Sequence, residues 1–494
     1  MSGRAVAVRT WNLLTMMRTE NMRIFCLCLL AISGGMAGCG TIDPWSEMSK
    51  TPPARSAQFS ELPMAGATSR PSSDLAGRPL ALAECVLVAL ERNPRTAASW
   101  QAARAAAARV GQSKSEYLPA VGFIGDAARA NPAELDDKAD AGTQNTFDAL
   151  FGVRYLLFDG GGREARLTAA QQDLIGANFR HNTVLQDVAL AVEEAYYELL
   201  ASRQLRQVAR ETVKQTESHV ALAEARYKVG VAAKSDVLQA QTEKADADLA
   251  FVRADSAVRV AKGRLANVMG LHVSQAVEIA EPRLPQDIHR LELADIEQLL
   301  DEAAKARPEL KTALAQIEVQ RAAVKSAEAR YWPSVTAGAG IGWVGRTFPP
   351  SLPQWDVGLG VDWPLFTGFD RNYQLVRSKA DLARAIAERD GLLQGVELEV
   401  WTAYQRVIEG SQAIEAAARF VASAEENARV AEGEYKNGVG SIIALIDAQT
   451  ARTTARTRLI QARLGWHTAM AQFERAVGRT LAAPQVIAEE KVKP

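Results

Sequence analysis

Few residues in this 494-residue chain are of a type and spacing suited to catalysis. Its five histidines, His181, His219, His272, His289 and His467, share no metal-ligand spacing, so they read as packing or surface residues. Glu193-Glu194 is a carboxylate pair, but adjacent positions on a helix point in different directions, which does not make a catalytic dyad. Gly160-Gly161-Gly162 is followed by Arg163 and lacks the lysine and serine of a phosphate-binding loop. It fits a bend from strand to helix better. No G-x-S-x-G nucleophile turn is present. Cys26 and Cys28 could form a metal-binding pair, but they lie inside an apolar leader segment that is expected to be removed. The expectation is therefore no enzyme, no cofactor and no metal.

Cys39 is suited to a different chemistry. An apolar run, Ile24 to Ile32, follows Arg18 and Arg23. It is about half the length needed to span a membrane as a helix and ends in small residues, as secretory signals do. Met36-Ala37-Gly38-Cys39 then resembles the bacterial lipobox, in which the cysteine is lipidated (palmitate included) and becomes the first residue. Each buried acyl methylene contributes about 0.8 kcal/mol, so several chains together anchor firmly. In bacterial lipoproteins an aspartate after that cysteine favours retention in the inner membrane; Gly40 stands here and favours the outer one. The reading is a signal peptide over 1–38, starting at Met1 or at Met22, and an extended tether over 39–78 rich in Pro, Ser and Gly. With Cys39 lipidated, Cys85 has no disulfide partner and reads as a small buried residue.

The elements behind these residues come from composition and repetition. Hydrophobic residues make up 48 % but aromatics only 6 %, and long stretches of Ala, Glu, Gln, Arg and Leu point to long helices. A net charge of −1, from 57 basic and 58 acidic residues, lacks the basic excess of a nucleic-acid partner. The chain is duplicated. Arg92-Asn93-Pro94 and Tyr117-Leu118-Pro119 recur as Ala306-Arg307-Pro308 and Tyr331-Trp332-Pro333, both 214 positions on. Leu157-Phe158-Asp159-Gly160, Tyr227-Lys228-Val229-Gly230-Val231 and Val268-Met269-Gly270 recur at Leu365, Tyr435 and Ala476, all 208 positions on. The six-residue difference falls in a strand–loop–strand stretch, where length changes are tolerated.

Each half is expected to run helix, two strands, a very long helix, a turn and a returning helix. The first repeat is placed at 79–283, with a β-hairpin over 120–158 and a helical hairpin over 163–270. The second is placed at 284–480, with a β-hairpin over 334–366 and a helical hairpin over 371–478, before a tail over 481–494. From Phe147 to Leu157 every odd position is apolar, and Trp355 to Leu365 alternates in the same way. Strands of about 10 residues, apolar on one face and small or polar on the other, suit a transmembrane barrel. A half-buried strand of a soluble sheet is the competing reading. Four strands cannot close a barrel, and open edges in lipid cost several kcal/mol for each unpaired group, so oligomerisation is expected. Arg163 to Tyr227 and its twin Arg371 to Tyr435 would each span roughly 95–100 Å as helix and need coiled-coil partners throughout.

The repeat, the strand hairpins and the two Tyr-Lys-x-Gly-Val turns resemble the TolC-like outer membrane factors of the lipoprotein type, over nearly the whole chain after the signal. The resemblance implies a mainly α fold with a membrane β-barrel: a homotrimer with a 12-stranded barrel in the outer membrane and a coiled-coil tunnel in the periplasm. It implies passive efflux, driven by an inner-membrane pump through a periplasmic adaptor, with outer-membrane lipid as a further partner. It places adaptor docking at Val229, Gly230, Val231, Gly438 and Val439, whose glycines would in any case cap long helices. Asp236 and Asp447 match carboxylate-ring positions at the pore constriction, although each could equally be a solvated helix-start aspartate. The family's arginine position falls on Gly440 and a second aspartate position on Ala444, so closure would use other contacts, such as Ile442, Ile443 and Leu445. Alternatives that remain open are the duct of a protein-secretion system, a periplasmic adaptor, and a purely structural coiled-coil lipoprotein.

Overall fold

A computed structural model describes residues 78–130, 143–275, 277–280 and 296–479. Cys39, the signal segment, most of the tether and the C-terminal tail lie outside these residues. Among the described residues the chain forms α1 (Leu82–Arg92), α2 (Pro94–Ser115), β1 (Ala120–Ala130), β2 (Gln144–Phe158), α3 (Gly162–Lys228) and α4 (Lys234–Val268). It then forms α5 (Ile296–Ala306), α6 (Pro308–Ala329), β3 (Ser334–Gly345), β4 (Leu352–Asp362), α7 (Asp370–Lys436) and α8 (Ile442–Val477).

Each half opens with two helices in tandem where the sequence suggested one. The break falls at Pro94 and Pro308, each the first residue of its helix. Proline has no N–H to offer an interior turn and forces its predecessor out of the helical region. Asn93 and Arg307 accordingly adopt extended conformations, at φ −67°, ψ 127° and φ −59°, ψ 121°. Asn93 also caps α2: its side chain accepts from the Arg95 N–H at 2.8 Å and donates to the Val268 carbonyl at 2.7 Å.

The four strands form one antiparallel sheet in the order β1-β2-β3-β4. The register sets Gly122 opposite Gly152, Gly152 opposite Gly340, and Gly340 opposite Asp356. Even-numbered positions thus share one face on which small and polar residues predominate, with Asp126, Asp148 and Arg154 among them and Ile124 and Leu150 as apolar exceptions. Odd-numbered positions (Phe123, Phe151, Ile341, Trp355) share an apolar face, as the period-two alternation requires. The alternation in the sequence continued to Leu365, but β4 stops at Asp362, because Pro364 has no N–H to give the ladder.

Below the sheet, α3 and α7 each run 67 residues, or about 100 Å. Two arginines fasten the strand-to-helix junctions in parallel fashion. Arg163 reaches the carbonyls of Glu116 and Leu157 and lies over the Tyr117 ring at 4.8 Å. Arg371 reaches those of Arg330 and Leu365 and lies over Tyr331 at 5.2 Å. The helices pack side by side: α2 on α3, α3 on α6 and α6 on α7 nearer the sheet, and α4 on α3, α3 on α8 and α8 on α7 further away. Two separate apolar cores lie where the short helices wrap the long ones. One gathers Cys85, Val192, Tyr196, Leu265 and Met269; the other gathers Leu299, Val400, Phe473 and Val477. Burial pushes the Cys85 thiol up to about 12. No helix among the described residues is long and apolar enough to cross a membrane.

The hairpin tips as a candidate functional site

The two long helices end alike. In α3 the last turn closes on Gly230, at φ +79°, and in α7 on Gly438, at φ +82°. The left-handed conformation stops the helix at little steric cost only in glycine. Val231 donates to the Arg226 carbonyl and Val439 to that of Glu434, completing each cap. The caps leave the flanking valines bare: Val229 is 72 % exposed, Val231 63 % and Val439 81 %. Three of the five residues read from the sequence as docking positions are thus apolar and solvated, and the two glycines are caps.

The returning helices begin differently. Asp236 lies in the first turn of α4, where a carboxylate meets the positive end of the helix dipole. Asp447 lies in the second turn of α8, whose cap is the Ser441 hydroxyl accepting from the Ala444 N–H at 3.1 Å. The helix-start explanation therefore fits Asp236 and not Asp447. The two aspartates act on different neighbours. Asp236 acts on Tyr435, whose phenol is pushed up by burial, pulled down by Arg226 and pushed up again by Asp236. Asp447 acts on Glu243, whose carboxyl is raised by burial first and then by Asp246 and Asp447.

Sequence reasoning missed Arg226, which joins the tips of the two long helices. Its guanidinium lies 4.6 Å from the centroid of the Tyr435 ring and also donates to the Tyr435 carbonyl. The repeat alignment pairs Tyr227 with Tyr435, yet Tyr227 is 47 % exposed and Tyr435 2 %. Only the second copy has a place in the core, beside Ile442, Leu445, Ile446 and Leu222. This corrects the expectation for tip closure: Ile442 and Leu445 are used inside the chain, and of the three residues proposed only Ile443 is free, at 62 % exposed. Gly440 has a local reason. A Cβ there would stand 3.0 Å from the Tyr435 nitrogen and the Glu434 Cβ, so any side chain at this turn requires the end of α7 to give way by a few tenths of an ångström.

The family model described as "Outer membrane efflux protein" matches residues 87–271 and 299–479, one block in each half. The chain belongs to the outer membrane efflux protein family. Protein CyaE of Bordetella pertussis is 30 % identical over 384 residues, covering 77 % of this chain and 80 % of that protein. TtgC of Pseudomonas putida, named a probable efflux pump outer membrane protein, is 25 % identical over 386 residues, covering 74 % and 76 %. The outer membrane protein VceC of Vibrio cholerae has the same fold, with a TM-score of 0.71 at 18 % identity over 81 % of this chain and 97 % of that one. The family assignment makes this an outer-membrane efflux component, mainly α with a four-stranded sheet. The adaptor and structural-scaffold alternatives do not survive it. Each matched block contains two of the strands and one long helical hairpin.

Proposed function

We propose that the protein is the outer-membrane duct of a tripartite efflux system, working as a homotrimer and conducting substrate passively. The observation that supports this most is the layout of free edges. Among the described residues β1 and β4 each have one unpaired edge. The helical layer has α2 and α4 on one flank and α7 on the other. The flanks carry unmatched apolar side chains: Leu249, Val252 and Val260 on α4, and Val376, Leu398 and Trp401 on α7. A sheet edge in lipid must be paired. Joining β1 to β4 of the next copy also brings the first-repeat flank to α7, a head-to-tail contact that closes as a ring. Three copies give twelve strands, within the range of known barrels.

In this reading Val229, Gly230, Val231, Gly438 and Val439 form the surface met by a periplasmic adaptor, and an inner-membrane pump supplies the energy. Asp236 and Asp447 contribute six carboxylates near the trimer axis, where like charges attract cations and disfavour anions. Cys39 carries the lipid. The decisive experiment is the native mass of the protein extracted in mild detergent, corrected for bound detergent. A trimer supports the shared barrel. A stable, folded monomer would exclude it, since four strands leave two edges open in lipid. Metabolic labelling with palmitate, lost in Cys39→Ser, tests the anchor.

A further inference from the structure

The two helical hairpins, α3–α4 and α7–α8, meet along α3 and α8, and this seam differs from the packing within each hairpin. Within the first hairpin the buried positions include Ala223, Ala240 and Ala247, small and apolar. Across the seam, on the sheet side of the apolar cluster of Leu222, Ile442 and Leu445, the partners are polar. Arg456 of α8 reaches Glu211 of α3 at 2.9 Å, Thr212 meets Thr453 at 3.2 Å, and Arg452 donates to Gln215. Gln449 is only 8 % exposed, and neither end of its amide has a partner among the described residues. A buried amide without partners costs about 1–3 kcal/mol, so this joint is held less firmly than an apolar one.

His219 lies at the tip end of the seam and is 6 % exposed. The charged groups acting on it come from neighbouring helices. Glu432 and Lys436 of α7 are already joined to each other at 2.6 Å, and Arg452 of α8 is the third. On its own helix Glu217 is engaged with Lys244 of α4, which also holds Asp248. A buried imidazole therefore feels the charge of two cations and of one carboxylate that is already committed.

We propose that this seam is an acid-labile joint with His219 as its proton acceptor: a proton on the ring adds a third cation beside Arg452 and Lys436, the first hairpin parts from the second, and the tunnel tip widens. The widening rests on the duct reading above; the parting of the hairpins does not. Burial, with Arg452 and Lys436, holds the packed ring below the ordinary value of 6.5, against the pull of Glu432. For a base held low, the closed packing keeps its full stability above 6.5. It weakens as pH falls from there towards the packed value, with the opening equilibrium rising up to about tenfold per pH unit within that window.

Two measurements on the full-length protein in detergent and in planar bilayers separate the two claims. Hydrogen exchange over 211–222 and 445–456, corrected for the intrinsic effect of pH, is expected to lose protection several-fold between pH 7.5 and 5. His219→Gln, which is neutral throughout, is expected to keep it. Single-channel conductance is expected to rise over the same window in the wild type and to rise less in His219→Gln, which retains Asp236 and Asp447. Loss of protection equal in both proteins, or absent in both, overturns the joint whatever the conductance does. Loss confined to the wild type with no conductance at any pH leaves the joint standing and overturns the widening together with the duct reading.

Discussion

Arg226 and Tyr435 lie 209 positions apart and form one contact: the guanidinium lies over the ring at 4.6 Å while donating to the carbonyl of the same tyrosine. This ties the end of α3 to the end of α7, which share no turn. A partly buried cation on an aromatic face contributes about 1–2 kcal/mol, and the hydrogen bond adds to it. Arg226→Met, which keeps an apolar stem, is expected to raise exchange and protease sensitivity at the Gly438 turn while leaving the midpoint of global unfolding within a few degrees. Unchanged exchange there would mean that the core of Tyr435, Ile442 and Leu445 alone holds the tips together.

A second junction is expected to be far less tolerant. Arg307 is buried, donates to the carbonyls of Arg475 and Ala476 at 3.0 and 3.3 Å, and pairs with Glu309 and Glu399. Arg475 in turn pairs with Glu309 and with Asp187 of α3. One side chain thus ends α8, anchors α7 and begins α6. Without Arg307 the Arg475 and Ala476 carbonyls lose their donor, while Glu309 keeps Arg475 and Glu399 is 46 % exposed, so the cost comes mainly from the unpaired carbonyls, at about 1–3 kcal/mol. Arg307→Ala is expected to lower the thermal midpoint by several degrees in detergent. Arg307→Lys recovers only part of the loss, since one ammonium cannot fork between carbonyls and carboxylates.

The left-handed glycines are not equivalent. Gly230 and Gly270 have φ +79° and +72°, but a Cβ at Gly230 meets open space, whereas at Gly270 it would stand 2.6 Å from the Arg92 carbonyl oxygen. Gly230→Ala is expected to cost only the conformational penalty, about 1–2 kcal/mol. Gly270→Ala must also displace backbone at the α1–α2 break and is expected to cost several times more, read as the difference between their unfolding midpoints. Equal effects would show that the break at Asn93 yields freely.

Glu193 is buried on α3, and its carboxyl is pushed up to about 8 by burial first, then by Glu474 and Glu194. An acid raised in the folded state contributes stability that is complete below its ordinary value of 4.5 and is lost as pH rises through about 8. Glu193→Gln removes that loss. It is expected to be nearly neutral at pH 4 and stabilising by on the order of 3 kcal/mol at pH 7, at about 1.4 kcal/mol per unit. A pH-independent difference between the two proteins would place the carboxylate in water.

What the sequence by itself determined was whatever depends on local chemistry and on repetition. The offsets of 214 and 208 fixed the duplication, the alternation fixed the strands and their faces, and Gly230 and Gly438 marked the ends of the long helices. Each follows from backbone rules that act within a few residues. The break before each proline was visible in Asn93-Pro94 and Arg307-Pro308, yet the two short helices were read as one because a single periodicity runs through both. Only the tertiary structure decided where the two copies of a motif part company. Tyr227 and Tyr435 carry the same motif, but α8 and α3 cover only the second. Arg226, Arg307 and His219 gain their roles from partners far away in sequence. Spacing along a chain records nothing about which helix will lie across a seam; packing supplies the burial and the opposing charge that turn an ordinary side chain into a joint.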